Sequence, residues 1–86
     1  MPVSDWEVVD GHHLHRVFRF PDFLTALAFV NRLGAAAEEQ NHHPALLLTW
    51  GKVEVSIFTH TINGISGKDH ALAAMIDSLY AVTQQQ

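Results

Sequence analysis

Eighty-six residues with a hydrophobic fraction of 48% can build one modest core and are too apolar for a disordered chain. A formal charge of −4, with only five Lys and Arg and no basic cluster, argues against direct nucleic-acid binding, where phosphate contacts supply most of the affinity. No apolar run approaches the roughly 20 residues of a membrane span, no signal-peptide pattern opens the chain, and the lack of cysteine removes disulfides, thiol catalysis and thiolate metal sites.

These features fit a cytoplasmic protein. With no linker, low-complexity segment or internal repeat, a single domain over residues 1–86 is expected. A domain this small and without staples often gains burial by oligomerising. The compositional oddity is seven histidines.

Trp6 to Val9 reads as a short strand, and Asp10-Gly11 as a two-residue hairpin turn, because both positions tolerate positive φ. The return strand, residues 13–20, puts Leu14, Phe18 and Phe20 on one face, and His13, His15, Val17 and Arg19 on the other. His13 and His15 could chelate a metal, but no third ligand is evidently placed, and a solvated strand face is the plainer reading.

Asp22, after Pro21, caps a helix whose apolar spacing sets Phe23, Leu27, Val30, Gly34 and Ala37 on one stripe. Ala26, Phe29 and Leu33 form a neighbouring stripe, so the helix face is wide enough to meet a second layer or a second subunit. Gly34 in mid-helix implies a close contact there, and Pro44 ends the helix near Asn41 or His42.

Residues 45–50 form an apolar strand with Leu46, Leu48 and Trp50 on one side. Gly51 turns it into residues 53–60, where Val53, Val55 and Ile57 alternate with Glu54, Ser56, Phe58 and His60. Asn63-Gly64 breaks that strand, and Ser66 caps a last helix with Leu72, Met75, Ile76 and Leu79 on its buried stripe. Gln84 to Gln86 form a frayed tail. The expected fold is α+β, in the order β-β-α-β-β-α, with a four-stranded antiparallel sheet and both helices on one face.

The chemistry gathers at element ends. Glu38 and His42 are four apart, so on a continuing helix they share a face and can hydrogen-bond, which would fix the imidazole tautomer. His43 must point elsewhere, because the chain turns at Pro44. His60 ends a strand, and Asp69 falls in the first turn of the last helix. Each also has a plain role: His42 and His43 as helix-end residues, Glu38 as part of a solvated acidic end, His60 as an exposed strand end, and Ser66-x-x-Asp69 as an ordinary cap.

Taken together, Glu38-x-x-x-His42-His43-Pro44, Thr59-His60 and Asp69 resemble the pterin-4a-carbinolamine dehydratase family. The likeness extends to Trp6, Phe18-Arg19-Phe20, Ala28-Phe29-Val30 and Asp69-x-x-Leu72-Ala73, from Trp6 to about Val82. It implies a homodimer or homotetramer that dehydrates 4a-hydroxytetrahydropterins without a metal or redox cofactor. By the same resemblance, His42 and His60 are the acid/base histidines and His43 binds and orients the pterin. Glu38 tunes His42, while Thr59 and Asp69 serve the substrate pocket. Ala45 and Leu46 stand where many members carry an acidic residue and Trp, and only five residues precede Trp6, where members usually begin with a further helix. Two other readings compete: a non-catalytic dimerisation or chaperone-like assembly factor on the same scaffold, and a metal site at His42, His43 and His60.

Overall fold

A computed structural model describes residues 6–84, so the expectation for Gln85 and Gln86 lies outside the described residues. The elements are β1 (Glu7–Val9), β2 (His13–Arg19), α1 (Phe23–Gln40), β3 (Ala45–Thr49), β4 (Lys52–Ile57) and α2 (Gly67–Gln84). The strands form one antiparallel sheet in the order β1-β2-β4-β3. The expected α+β order, β-β-α-β-β-α, is the observed one.

Turn chemistry sets the hairpins. Asp10 and Gly11 take positive φ (54° and 65°), as their residue types allow, and the His12 N–H donates to the Val9 carbonyl at 2.9 Å. Val9 pairs with His13, however, so His12 joins Asp10 and Gly11 in the loop, one residue more than the two-residue turn expected. The β3–β4 hairpin closes tightly at Trp50-Gly51, with Thr49 opposite Lys52. A side chain at Gly51 would put its Cβ 2.9 Å from the Phe20 carbonyl oxygen, so glycine is required by close approach.

One face of the sheet makes the core. Leu14 lies opposite Ile57 and Phe18 opposite Val53, and the alternation of β4 buries Val53, Val55 and Ile57 completely. Ala26, Phe29 and Leu33 of α1 and Leu72, Ala73 and Ile76 of α2 pack on this face in one cluster. On α1 the buried stripe is therefore Ala26, Phe29, Leu33 and Ala37. The stripe headed by Phe23 runs along the edge of the core, with Phe23 42% exposed and only Ala37 of its members buried, because the rotation of the helix follows the sheet and not its own composition. Gly34 is exposed with open space beside it, so the close contact expected there is not made among the described residues.

Arg16 shares the core face of β2 with Leu14 and Phe18. Its guanidinium lies 4.4 Å from the Phe18 ring centroid and donates to Asp77 Oδ1 at 2.6 Å. Trp6 Nε1 donates to the same oxygen at 2.9 Å, so Asp77 ties both Trp6 and β2 to α2.

A candidate active site at one end of the sheet

Antiparallel pairing decides which residues can meet. Ala45, at the start of β3, lies opposite Ser56 near the end of β4, and Leu14, near the start of β2, lies opposite Ile57. The segment before β3, the segment after β4 and the β1–β2 hairpin tip thus fall at one end of the sheet. They carry His42 and His43, Thr59 and His60, and His12 and His13 respectively.

The end of α1 places His42. Asn41 adopts the left-handed conformation (φ 53°), its N–H reaches the Glu38 carbonyl at 3.1 Å, and the His42 N–H reaches the Ala37 carbonyl at 3.1 Å. This is the Schellman arrangement, with asparagine at the position that glycine most often fills. It takes His42 out of helical register, and that corrects the expected Glu38–His42 contact. Glu38 Oε1 instead accepts from His43 Nε2 at 2.7 Å, in an exposed pair. Helical spacing holds only to Gln40, and the left-handed residue swings the next side chain away from the Glu38 face.

His42 turns to Asp69. Its Nε2 lies 2.5 Å from Asp69 Oδ1, and the Asp69 side chain is fully buried. A carboxylate only accepts, so Nε2 carries a proton, and in the neutral imidazole the lone pair is on Nδ1. Nδ1 makes no hydrogen bond among the described residues and is not a buried unpaired atom, so it is open to a ligand.

Asp69 Oδ2 takes two more donors, the Ser66 N–H at 2.7 Å and the Thr59 hydroxyl at 2.8 Å. Since the Thr59 proton is committed to Asp69, the Ser66 hydroxyl donates to Thr59 Oγ1 at 2.7 Å. Ser66 Oγ in turn accepts from the Lys68 N–H at 3.3 Å, so Ser66 and Asp69 do cap α2 reciprocally, as the spacing implied. Burial alone would raise the Asp69 pKa, but the hydrogen bonds from His42, Ser66 and Thr59 outweigh it and hold the carboxyl below its ordinary value. The N-terminus of α2 favours the same charged form.

His60 is exposed in a turn that Thr59 and Gly64 close by pairing, with Thr59 N–H to Gly64 O at 2.7 Å. Its ring lies against Phe58, with centroids 4.4 Å apart. Asp69 therefore joins His42 directly and, through Thr59, anchors the residue that precedes His60. The sequence flagged each of these positions, but it missed His12, whose ring also packs on Phe58 at 4.6 Å. The Asp10-Gly11 turn sets His12 at the hairpin tip, but its contact with Phe58, distant in sequence, is tertiary and has no local signal.

Among the described residues, no group of three or more His, Cys, Asp or Glu converges as a metal site; His15 Nε2 faces Glu54 Oε1 at 3.3 Å. A shallow depression lined by Arg19, Phe20, Thr49, Trp50, Gly51 and Lys52 lies at the other end of β3 and β4, away from this chemistry. No described helix is long and apolar enough to cross a membrane.

The fold and site define a class: a small α+β protein with imidazoles held by buried and exposed carboxylates at one end of an antiparallel sheet. The profile of the family described as pterin 4 alpha carbinolamine dehydratase matches residues 1–79. A protein of Rubrobacter xylanophilus provisionally named a pterin-4-alpha-carbinolamine dehydratase is 55% identical over 86% of this chain and 69% of its own length. One of the same provisional name from Alkaliphilus metalliredigens is 47% identical, over 86% of this chain and 67% of its own. Among solved structures, a transcriptional coactivator/pterin dehydratase from Brucella melitensis superposes with a TM-score of 0.85 at 32% identity, covering 90% of this chain and 83% of that one. A pterin dehydratase-like protein identified as a RuBisCO assembly factor in the alpha-carboxysome shares the fold at a TM-score of 0.77 and 24% identity, over 90% of each chain. The chain belongs to the pterin-4a-carbinolamine dehydratase family.

Proposed function

We propose that this protein dehydrates 4a-hydroxytetrahydropterins to the quinonoid dihydropterin and water by histidine acid/base catalysis, in the cytoplasm and as a homodimer or homotetramer, within tetrahydropterin recycling. The observation that carries the reading is the His42–Asp69 pair, in which a fully buried carboxylate fixes the imidazole tautomer and leaves Nδ1 open. The C4a–O bond breaks with its electron pair and the departing oxygen takes one proton. The N5 lone pair forms the new C4a=N5 bond as the N5 proton leaves. One acid and one base are needed, and imidazoles serve both roles near neutral pH.

His42 and His60 fill those roles, and His43, oriented by Glu38, binds the pterin. Asp69 and Thr59 act through His42 and the turn, because their polar side-chain atoms are taken up by one another, by His42 and by Ser66. Stopped-flow dehydration of freshly generated 4a-hydroxytetrahydropterin tests this. Wild type accelerates the step, and His42→Ala and His60→Ala each lose most of an acceleration of roughly 10²–10⁴-fold. No acceleration by folded wild type ends the proposal.

A second reading, an oligomeric assembly factor, draws on the exposed Leu47 and Trp50 on β3 and its turn. It requires His60→Ala to leave partner binding intact.

A further inference from the structure

The β1–β2 hairpin tip carries a histidine that the proposed reaction does not use. The His12 ring packs on Phe58 with centroids 4.6 Å apart, and Phe58 packs on His60 at 4.4 Å. His12 Nε2 lies 2.9 Å from Asn63 Oδ1; an amide oxygen only accepts, so Nε2 carries the proton. In neutral His12 the Nδ1 atom is then an acceptor, and His13 Nδ1, 3.2 Å away, donates to it. Asn63 sits at φ 51° in the turn that presents His60, and its own N–H donates to the His60 carbonyl at 3.2 Å.

His12 thus holds that segment twice, through the Phe58 ring just before the turn and through the Asn63 side chain within it. The His60 ring has no hydrogen bond among the described residues, so the contact with Phe58 is what orients it. An exposed imidazole otherwise samples several rotamers, and ordering it in advance is how a neighbour raises the productive fraction.

We infer that His12 is a positioning residue for His60, holding its ring and its turn from the facing hairpin. The catalytic meaning of this rests on the proposed role of His60; the positioning itself rests on the contacts alone.

Two measurements test it in the full chain. In the first, long-range proton–nitrogen NMR reads the imidazole resonances of His60 in wild type, His12→Ala and Asn63→Gly. Glycine keeps the positive-φ backbone at position 63 while removing the acceptor. His60 resonances shift and broaden in both variants, while those of His43 stay. Unmoved His60 resonances in both folded variants overturn the inference, whatever the activity.

The second is a double-mutant cycle in the dehydration assay. His12→Ala lowers kcat by about tenfold with KM within about twofold, a barrier increase of about 1.4 kcal/mol. His12→Gln, which can still donate to Asn63, recovers part of it. In the His60→Ala background, His12→Ala has no further effect; multiplicative losses overturn the inference. If wild type shows no dehydration, the proposed function fails, and the NMR comparison still decides the role of His12.

Discussion

Asp69→Asn is the perturbation that asks most of the site. The amide is almost isosteric but offers one acceptor oxygen and one donor group where the carboxylate offers two acceptors. If the amide oxygen stays where Oδ2 accepts from Ser66 and Thr59, the NH₂ group faces His42 Nε2. Two donors then meet, and His42 must move its proton to Nδ1. The atom left open to substrate becomes an N–H in place of a lone pair. The expected loss is most of the His42 contribution, roughly 10²–10⁴-fold in kcat, or about 3–5 kcal/mol of barrier. Folding suffers as well, because the hydrogen bonds to a fully buried group lose their charge assistance and become neutral ones, at a cost of about 1–1.5 kcal/mol. At about 4–8 °C per kcal/mol for a domain of this size, a thermal melt shows the shift plainly. The pH dependence supplies the sign. The Asp69 pKa is lowered on folding, so its stabilisation is fully present above the unfolded value of about 3.9 and disappears as pH falls through the folded value. The gap between wild type and variant therefore narrows below about pH 4. Stopped-flow rates at pH 7 and urea midpoints from pH 7 to 3 make the comparison. A variant with wild-type kcat and an unchanged midpoint at pH 7 would refute the tautomer argument.

Three further outcomes follow from the backbone and the core. Asn41→Ala loses about 1–2 kcal/mol, because alanine is strained at φ 53°, while Asn41→Gly stays near wild type; equal melting temperatures for the two would deny the left-handed helix end its role. Gly51→Ala drives a Cβ against the Phe20 carbonyl and lowers the urea midpoint by the equivalent of about 1–3 kcal/mol at unchanged m-value. Phe29→Ala empties the centre of a fully buried cluster and costs about 3–5 kcal/mol, against a total of about 4–13 kcal/mol expected for 86 residues, so a melt followed by circular dichroism should show the midpoint fall by roughly 12–40 °C. Because Phe29 is buried, altering it cannot report on a partner surface, and Leu47 or Trp50 is the place to test one.

Local rules made most of the fold legible. Alternation in β4 named Val53, Val55 and Ile57 as the buried side, Asp22 capped α1 as its side chain allows, and Asp10-Gly11 turned the first hairpin. Two things were not legible, for physical reasons. The apolar positions of α1 support two adjacent stripes, and the choice between them depends on the sheet against which the helix rolls. The side on which His42 emerges depends on a single backbone torsion at Asn41. Pro44 restricts His43 but leaves the preceding residues free to end the helix in more than one way. Extending helical spacing two residues too far was enough to give Glu38 the wrong histidine. Ser66-x-x-Asp69 was readable as a cap, but a partner 27 residues earlier in the chain is a tertiary fact.

The cap and the site are therefore one structure. Asp69 starts α2 by accepting from Ser66, fixes the turn before His60 through Thr59, and sets the His42 tautomer, all with two oxygens. A carboxylate with only a capping role could stay solvated, and an exposed surface cap of this kind stabilises a helix by about 1 kcal/mol. Full burial makes the hydrogen bonds stronger and their loss more costly, so the acid–base geometry is held by the same interactions that close the fold. Asparagine, an ordinary cap elsewhere, can satisfy the helix here but cannot hold the imidazole in the same tautomer. Substitution at position 69 is thus expected to separate folding from chemistry by residue type: Asn keeps most of the first and loses the second, whereas Ala loses both.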